Sequence, residues 1–171
     1  SRDAAAALWK AAGITSPIDE IDVGEVYVPF SWYEPMWLES LGFAAEGEGW
    51  KLTEAGETAI GGRIPFNPSG GVLSSNPIGA SGMIRFAESA IQVMNKAGDH
   101  QVPGAKKALG HAYGGGAQYY SMWVVGSEKP ATLPTPSSNG SLHDGSVCSV
   151  NTLRPCCGPT AIRYVIDEPR S

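Results

Sequence analysis

The chain has 171 residues, 42% of them hydrophobic, and a formal net charge of −5 at pH 7, so it is long enough for one domain with a real core and short for two. Its Lys and Arg residues are scattered singly or as the pair Lys106 and Lys107, which leaves no basic face for nucleic acid. No run approaches the roughly 20 apolar residues of a membrane span, and no basic-then-apolar leader is present, so a soluble, cytoplasmic protein is expected.

In chain order, residues 3–12, DAAAALWKAA, are rich in helix formers and stop at Gly13, a full helix with its C-cap. Residues 15–17 read as a turn. Residues 21–28, IDVGEVYV, are β-branched and partly alternating, which predicts a buried strand with Val26 and Val28 on one side and Tyr27 presented on the other. A helical period resumes through Phe30, Tyr33, Trp37 and Leu41, with Pro35 within its first turn or so. Residues 43–63 are polar and Gly-rich, which suits a surface loop carrying a short helical piece at 53–59.

Residues 67–90, NPSGGVLSSNPIGASGMIRFAESA, organise the rest. Their pattern predicts strand, tight loop and helix, the helix running over about 78–97. Met83, Ala87, Ala90, Ile91 and Met94 fall on one face at 3.6 residues per turn, with Arg85, Glu88, Ser89 and Gln92 mostly off it. Pro77 suits the helix entrance, where its missing N–H costs nothing. The small residues Gly79, Ala80, Ser81 and Gly82 are too poor as helix formers to be there for the helix alone. They leave N–H donors open to a carbonyl, a thioester or a phosphate.

Residues 105–112 read as a strand, and Tyr119 with residues 122–125 as a second one, antiparallel to the first if Gly114, Gly115 and Gly116 form the bend. These three glycines offer N–H groups to an oxyanion or allow close strand passage. From residue 130 the chain is Pro-, Ser- and Gly-rich without an apolar period, which predicts an irregular tail. Cys148, Cys156 and Cys157 lie there with His143. Their odd count argues against a disulfide framework, and without a C-x-x-C no metal site is assigned.

The run Ser75, Asn76, Pro77, Ile78, Gly79, Ala80, Ser81, Gly82, preceded by Asn67, Gly70 and Gly71, resembles the thiolase-superfamily segment in which Asn-x-x-Gly-Gly leads into Gly-His-Pro-x-Gly-x-Ser/Thr-Gly. It is most similar to the lipid-transfer-protein-like, sterol-carrier-type thiolases that act as steroid side-chain retro-aldolases. The resemblance implies an α/β fold, the C-terminal half of a thiolase with a mixed sheet and helices, incomplete at its N-terminus. It covers residues 1–129 as a partial C-terminal domain and leaves 130–171 as a tail of unassigned role. Two departures fall on the family's catalytic positions: Asn76 takes the place of the His, and Ala112 that of the general acid/base Cys. An Asn can hold a thioester oxygen but cannot shuttle a proton near neutral pH.

Residues 22–30, from Asp22 through Glu25 and Val26 to Phe30, are similar to the family's strand that runs into Asn-Glu-Ala-Phe or His-Asp-Cys-Phe, and place Tyr27 at the Asn or His position. The resemblance therefore implies Tyr27, Tyr113, His111 and Asn76 as catalytic residues, with Ser75, Gly79, Ser81, Gly114, Gly115 and Gly116 around the substrate. Strand-end packing is the alternative for the tyrosines, and a satisfied structural role for His111. The implied function is retro-aldol C–C cleavage of an acyl-CoA thioester bearing a steroid or lipid side chain. A non-catalytic module that binds acyl-CoA, sterol or a partner protein is the alternative, and an acyltransferase ranks third. Coenzyme A enters as part of the substrate, with no separate cofactor. The implied partners are an N-terminal thiolase half, a second copy in homodimer-type packing, and a small OB-fold, zinc-ribbon protein. The isolated chain is expected to be inactive.

Overall fold

The computed structural model describes residues 1–128 and the backbone of one further strand, Thr160–Val165. Helix α1 (Arg2–Ala12) ends as predicted: Gly13 takes a left-handed φ of 68°, and the N–H groups of Gly13 and Ile14 return to the carbonyls of Lys10 and Trp9. The turn expected at 15–17 leads into a single helical turn, α2 (Pro17–Glu20), entered on its proline. The Glu20 carboxylate accepts the N–H groups of Thr15 and Ser16 at 2.7 and 2.9 Å, which satisfies donors just ahead of that turn.

Strand β1 (Val23–Val26) forms the centre of the predicted strand and runs parallel to β2 (Lys107–Gly114), with Val23 opposite Ala108 and Val26 opposite His111. β2 turns back into β3 (Tyr119–Gly126) as the predicted antiparallel hairpin, Gly114 facing Tyr119. β4 (Thr160–Val165) adds to β3 in parallel, giving a mixed sheet in the order β1-β2-β3-β4. Those six residues fall in the stretch expected to be irregular, so that expectation is corrected for them. The rest of that stretch, with His143, Cys148, Cys156 and Cys157, lies outside the described residues.

The alternation of the strands separates two apolar clusters. On one face Val26, Leu109, Met122 and Val124 join Leu8 and Trp9 of α1 and Trp37, Leu38 and Leu41 around α3 (Tyr33–Ser40). Trp9 Nε1 donates to the Leu41 carbonyl at 2.9 Å and ties the two helices together. On the other face Val23, Ala108, Trp123 and Val125 meet Val93 of α6 (Ser81–Val93). The excursion between the faces carries its helix, α4 (Gly49–Glu54), earlier than the expected 53–59.

Two further expectations are overturned. Residues 67–73 are not a strand. Gly70 and Gly71 both take positive φ, 88° and 60°, which closes the chain into the one-turn helix α5 (Gly71–Ser74) rather than extending it. The segment is nevertheless docked to β1, because Asn67 Oδ1 accepts the Val26 N–H at 2.8 Å and the Asn67 N–H reaches the Gly24 carbonyl at 2.7 Å.

The helix after Pro77 begins as a 3-10 turn, Ile78–Ala80, ends at Val93 rather than near residue 97, and is turned opposite to its apolar period. Ser81, Arg85, Ser89 and Gln92 face the sheet and are buried, while Met83 is 70% exposed. Hydrogen bonding explains the inversion. Arg85 pairs with Glu25 on β1 and donates to Ser69 Oγ at 2.9 Å; Ser89 Oγ donates to the Arg85 carbonyl at 2.7 Å; Gln92 Oε1 accepts the Val102 N–H at 2.9 Å. Polar groups so satisfied can be buried without the penalty an unpaired one carries.

The Glu25–Arg85 pair is itself fully buried, with Ser69 donating to Glu25 through both N–H and Oγ. Burial pushes the Glu25 carboxyl up, against the Arg85 guanidinium and the Ser69 hydrogen bonds that pull it back. Removing one partner strands the other charge. Glu25→Gln or Arg85→Met alone should therefore cost about 3–5 kcal/mol, and the double variant clearly less than the sum of the two. Urea unfolding of the three variants checks this, and additive single effects would refute it.

Candidate active site

The strand ends on one side of the sheet, the entrance to α6 and the β2–β3 hairpin enclose a cleft of about 710 Å³. Tyr27 projects into it one residue past β1. The rings of Tyr27 and Tyr113 meet edge to face with centroids 4.9 Å apart, so the two tyrosines singled out in the sequence are brought together. Tyr113 leans on Tyr33 and Trp37 at 5.6 and 5.8 Å. Burial, then a hydrogen bond with Tyr33, raises its phenol pKa above the usual range. An environment that lowered a tyrosine pKa would have suited a base. The raised value keeps Tyr113 a proton donor through the physiological range.

Asn76 completes the group. Its Oδ1 accepts Ser81 Oγ at 2.8 Å, the Ile78 N–H at 3.2 Å and the Tyr27 hydroxyl at 3.4 Å. All of these converge on Oδ1, so none of them uses the Nδ2 hydrogens of this cleft-lining residue. Ser81 itself is buried and does not line the cleft; it holds Asn76. Ser75 does not line it either, whereas Gly79, Gly114, Gly115 and Gly116 do. Gly115, Gly116 and Ala117 all take positive φ at the hairpin, where the Gln118 N–H returns to the Gly114 carbonyl.

The structure adds residues that the sequence reading left out of the site. Gly82 faces Ala112 so closely that a Cβ on Gly82 would stand 3.0 Å from the Ala112 Cβ. The start of α6 and the end of β2 can therefore meet only because both residues are small. Ile78 sits at the cleft with φ 44°, a conformation rare for a β-branched residue, and it is 77% exposed. Phe30 and Tyr119 add two more exposed apolar side chains to the lining. Asn-Pro followed by Gly marked the turn, but no sequence signal announced strain at Ile78.

His111 is placed differently from the tyrosines. It is fully buried on the α3 side of the sheet, outside the cleft lining, with its ring against Trp37 at 4.7 Å. Its Nδ1 accepts the Tyr27 N–H at 3.4 Å and its Nε2 has no partner among the described residues. Burial lowers its pKa to about 3 and keeps it neutral.

Comparison with known proteins agrees with this architecture. The family model described as "Thiolase C-terminal domain-like" matches residues 1–127. The chain belongs to that family. Sterol carrier protein 2 of Homo sapiens is 39% identical over 134 residues, covering 77% of this chain and 24% of the relative. An acetyl-CoA acetyltransferase of Methanothermobacter thermautotrophicus is 42% identical over 97 residues, covering 56% of this chain and 25% of the relative. Among solved structures, an Ltp2-ChsH2(DUF35) aldolase superposes with a TM-score of 0.56 at 27% identity, covering 66% of this chain and 28% of that one. The chain thus spans about a quarter of the length of these relatives. Among the described residues, no helix is long and apolar enough to cross a membrane.

In this thiolase C-terminal domain the buried His111 makes a pH prediction. Its folded pKa lies below its unfolded value of about 6.5, so the unfolded chain takes up the proton first and stability is lost as pH falls from about 6.5 towards 3. At pH 4.5 that single group should account for about 3 kcal/mol. His111→Asn should flatten the acid side of the stability profile by roughly this amount; an unchanged profile would show that His111 titrates normally.

Proposed function

We propose that the chain is the C-terminal part of a thiolase-superfamily enzyme acting on acyl-CoA thioesters by retro-aldol cleavage of a C–C bond in a steroid or lipid side chain. The observation that carries this reading is the Tyr27–Tyr113 pair at 4.9 Å beside Asn76, with Tyr27 and Asn76 matching family catalytic positions and Tyr113 next to the one that Ala112 takes. An aldolase among the solved structures supports it. In the reaction, Tyr27 acts as the phenolate, its own proton having left to solvent, and takes the β-hydroxyl proton of a β-hydroxyacyl-CoA; after turnover that proton returns to the Tyr113 phenolate and resets the pair. The Cα–Cβ bond breaks, Cβ becomes a ketone, and the electron pair passes to Cα and the thioester oxygen. Asn76 Nδ2 and the backbone N–H groups of the glycine hairpin stabilise that oxygen, and Tyr113, held as the neutral phenol, protonates Cα to release a shorter acyl-CoA.

Coenzyme A is then part of the substrate rather than a separate cofactor, and a cytoplasmic location goes with this reading. An N-terminal thiolase half would cover the outward face of α6, where Met83 is exposed, together with Ile78 and Leu73 beside it. A second copy packs in the manner of a homodimer, and a small OB-fold, zinc-ribbon protein assembles with the enzyme; the two-part name of the aldolase neighbour is in keeping with the latter. A second reading, a non-catalytic acyl-CoA or sterol binder, draws support from the sterol carrier relatives. The acyltransferase reading, suggested by the acetyl-CoA acetyltransferase relative, is weakened by Asn76 and Ala112.

In the full-length protein, Tyr27→Phe and Tyr113→Phe should each lower turnover of a β-hydroxyacyl-CoA by about 10² to 10⁴ while leaving folding intact. Asn76→Ala should cost about 2.7–4 kcal/mol of transition-state stabilisation, and Asn76→His should not recover acyl transfer while Ala112 stands in place of the Cys. Near-normal cleavage by both Tyr→Phe variants would move the proton transfers to other residues, and binding without cleavage by the unmutated full-length protein would favour the binding module. The chain of 171 residues on its own should self-associate in sedimentation experiments through its exposed apolar face. A stable monomer would count against a missing covering half.

A further inference from the structure

We infer that His111 and Trp37 are positioning residues that clamp both main-chain polar groups of Tyr27 and so hold its phenol against Tyr113 and Asn76. The inference rests on the reading of Tyr27 as a proton-transfer residue. Tyr27 lies just beyond the last paired residue of β1, Val26 opposite His111, so the regular ladder stops short of it. Two side chains take over where the ladder stops. His111 Nδ1 accepts the Tyr27 N–H at 3.4 Å, and Trp37 Nε1 donates to the Tyr27 carbonyl at 2.9 Å.

The clamp is rigid because its parts are packed together. His111 and Trp37 are 0% and 1% exposed, and their rings lie 4.7 Å apart. Trp37 also packs on Tyr113 at 5.8 Å, so the same indole that holds the Tyr27 carbonyl supports the ring Tyr27 meets. A backbone N–H as donor requires Nδ1 to be unprotonated, which puts the imidazole proton on Nε2. That atom is buried without a partner among the described residues. A strand end left free would let the phenol drift, and misplacement by about 1 Å can cost on the order of 10² in rate.

The test compares His111→Phe, which keeps an aromatic ring and removes the acceptor, with His111→Asn, whose Oδ1 can stand where Nδ1 stood. In the full-length protein, amide hydrogen exchange at Tyr27 should quicken about tenfold or more in the Phe variant and stay near the wild-type rate in the Asn variant. With a β-hydroxyacyl-CoA as substrate, kcat should fall by roughly 10 to 10² in His111→Phe with KM little changed, and His111→Asn should recover most of that loss with an unaltered pH–rate profile. Loss of a titrating limb between about pH 5 and 8 in His111→Asn would make His111 a proton carrier instead. Unchanged Tyr27 exchange in His111→Phe would remove the clamp. If Tyr27→Phe kept full turnover while the exchange results held, the clamp would stand and the catalytic reading of Tyr27 would fall.

Discussion

The buried ion pair between Glu25 on β1 and Arg85 on α6, bridged by Ser69, is the constraint on which the rest of the fold depends. Two opposite charges taken out of water cannot be left apart, so their meeting sets the rotation of α6 about its own axis. Once Arg85 points at the sheet, Ser81, Ser89 and Gln92 must follow at helical spacing, and Met83 must turn outward. The helix therefore shows part of its apolar face, Met83 included, to water. The same pair also anchors Ser69, and with it the bend at Gly70 and Gly71 that sends the chain back toward Asn76.

That rotation has a chemical consequence at the start of the helix. Ser81, turned inward, donates to Asn76 Oδ1, the same atom that accepts the Tyr27 hydroxyl. The small pair Gly82 and Ala112 lets the helix entrance reach the end of β2, where Tyr113 emerges. The stabilising network and the candidate site are thus one connected set of side chains, from Glu25 through α6 to the cleft. Ile78, with φ 44° at the lip of that cleft, is where backbone strain is accepted so that the turn can bring Asn76 into place. Tyr113 shows how packing sets chemistry: the apolar and aromatic surroundings that order the ring also keep its proton on.

The sequence by itself determined what is local. The helix expected over residues 3–12 with its Gly13 stop, the centre of the strand expected over 21–28 and the hairpin at Gly114 to Gly116 follow from short-range propensities and turn chemistry, and the structure has each of them. The motif around Asn76 and Pro77 was also enough to identify the family, and with the resemblance over residues 22–30 and around Ala112 it singled out Tyr27, Tyr113 and Asn76, which line one cleft. What only the tertiary structure decided were the matters that depend on partners distant in the chain. The apolar period of α6 pointed to the wrong buried face, because hydrophobicity along one helix carries no information about a carboxylate 60 residues earlier that will meet its arginine. Gly70 and Gly71 read as strand punctuation until their positive φ values closed a helical turn. The sequence left His111 open between a proton carrier and a structural histidine; two residues before Tyr113 it shares that residue's face of β2 but lies deeper, among Trp37 and Tyr120, where burial keeps it neutral and its ring nitrogen holds the backbone of Tyr27.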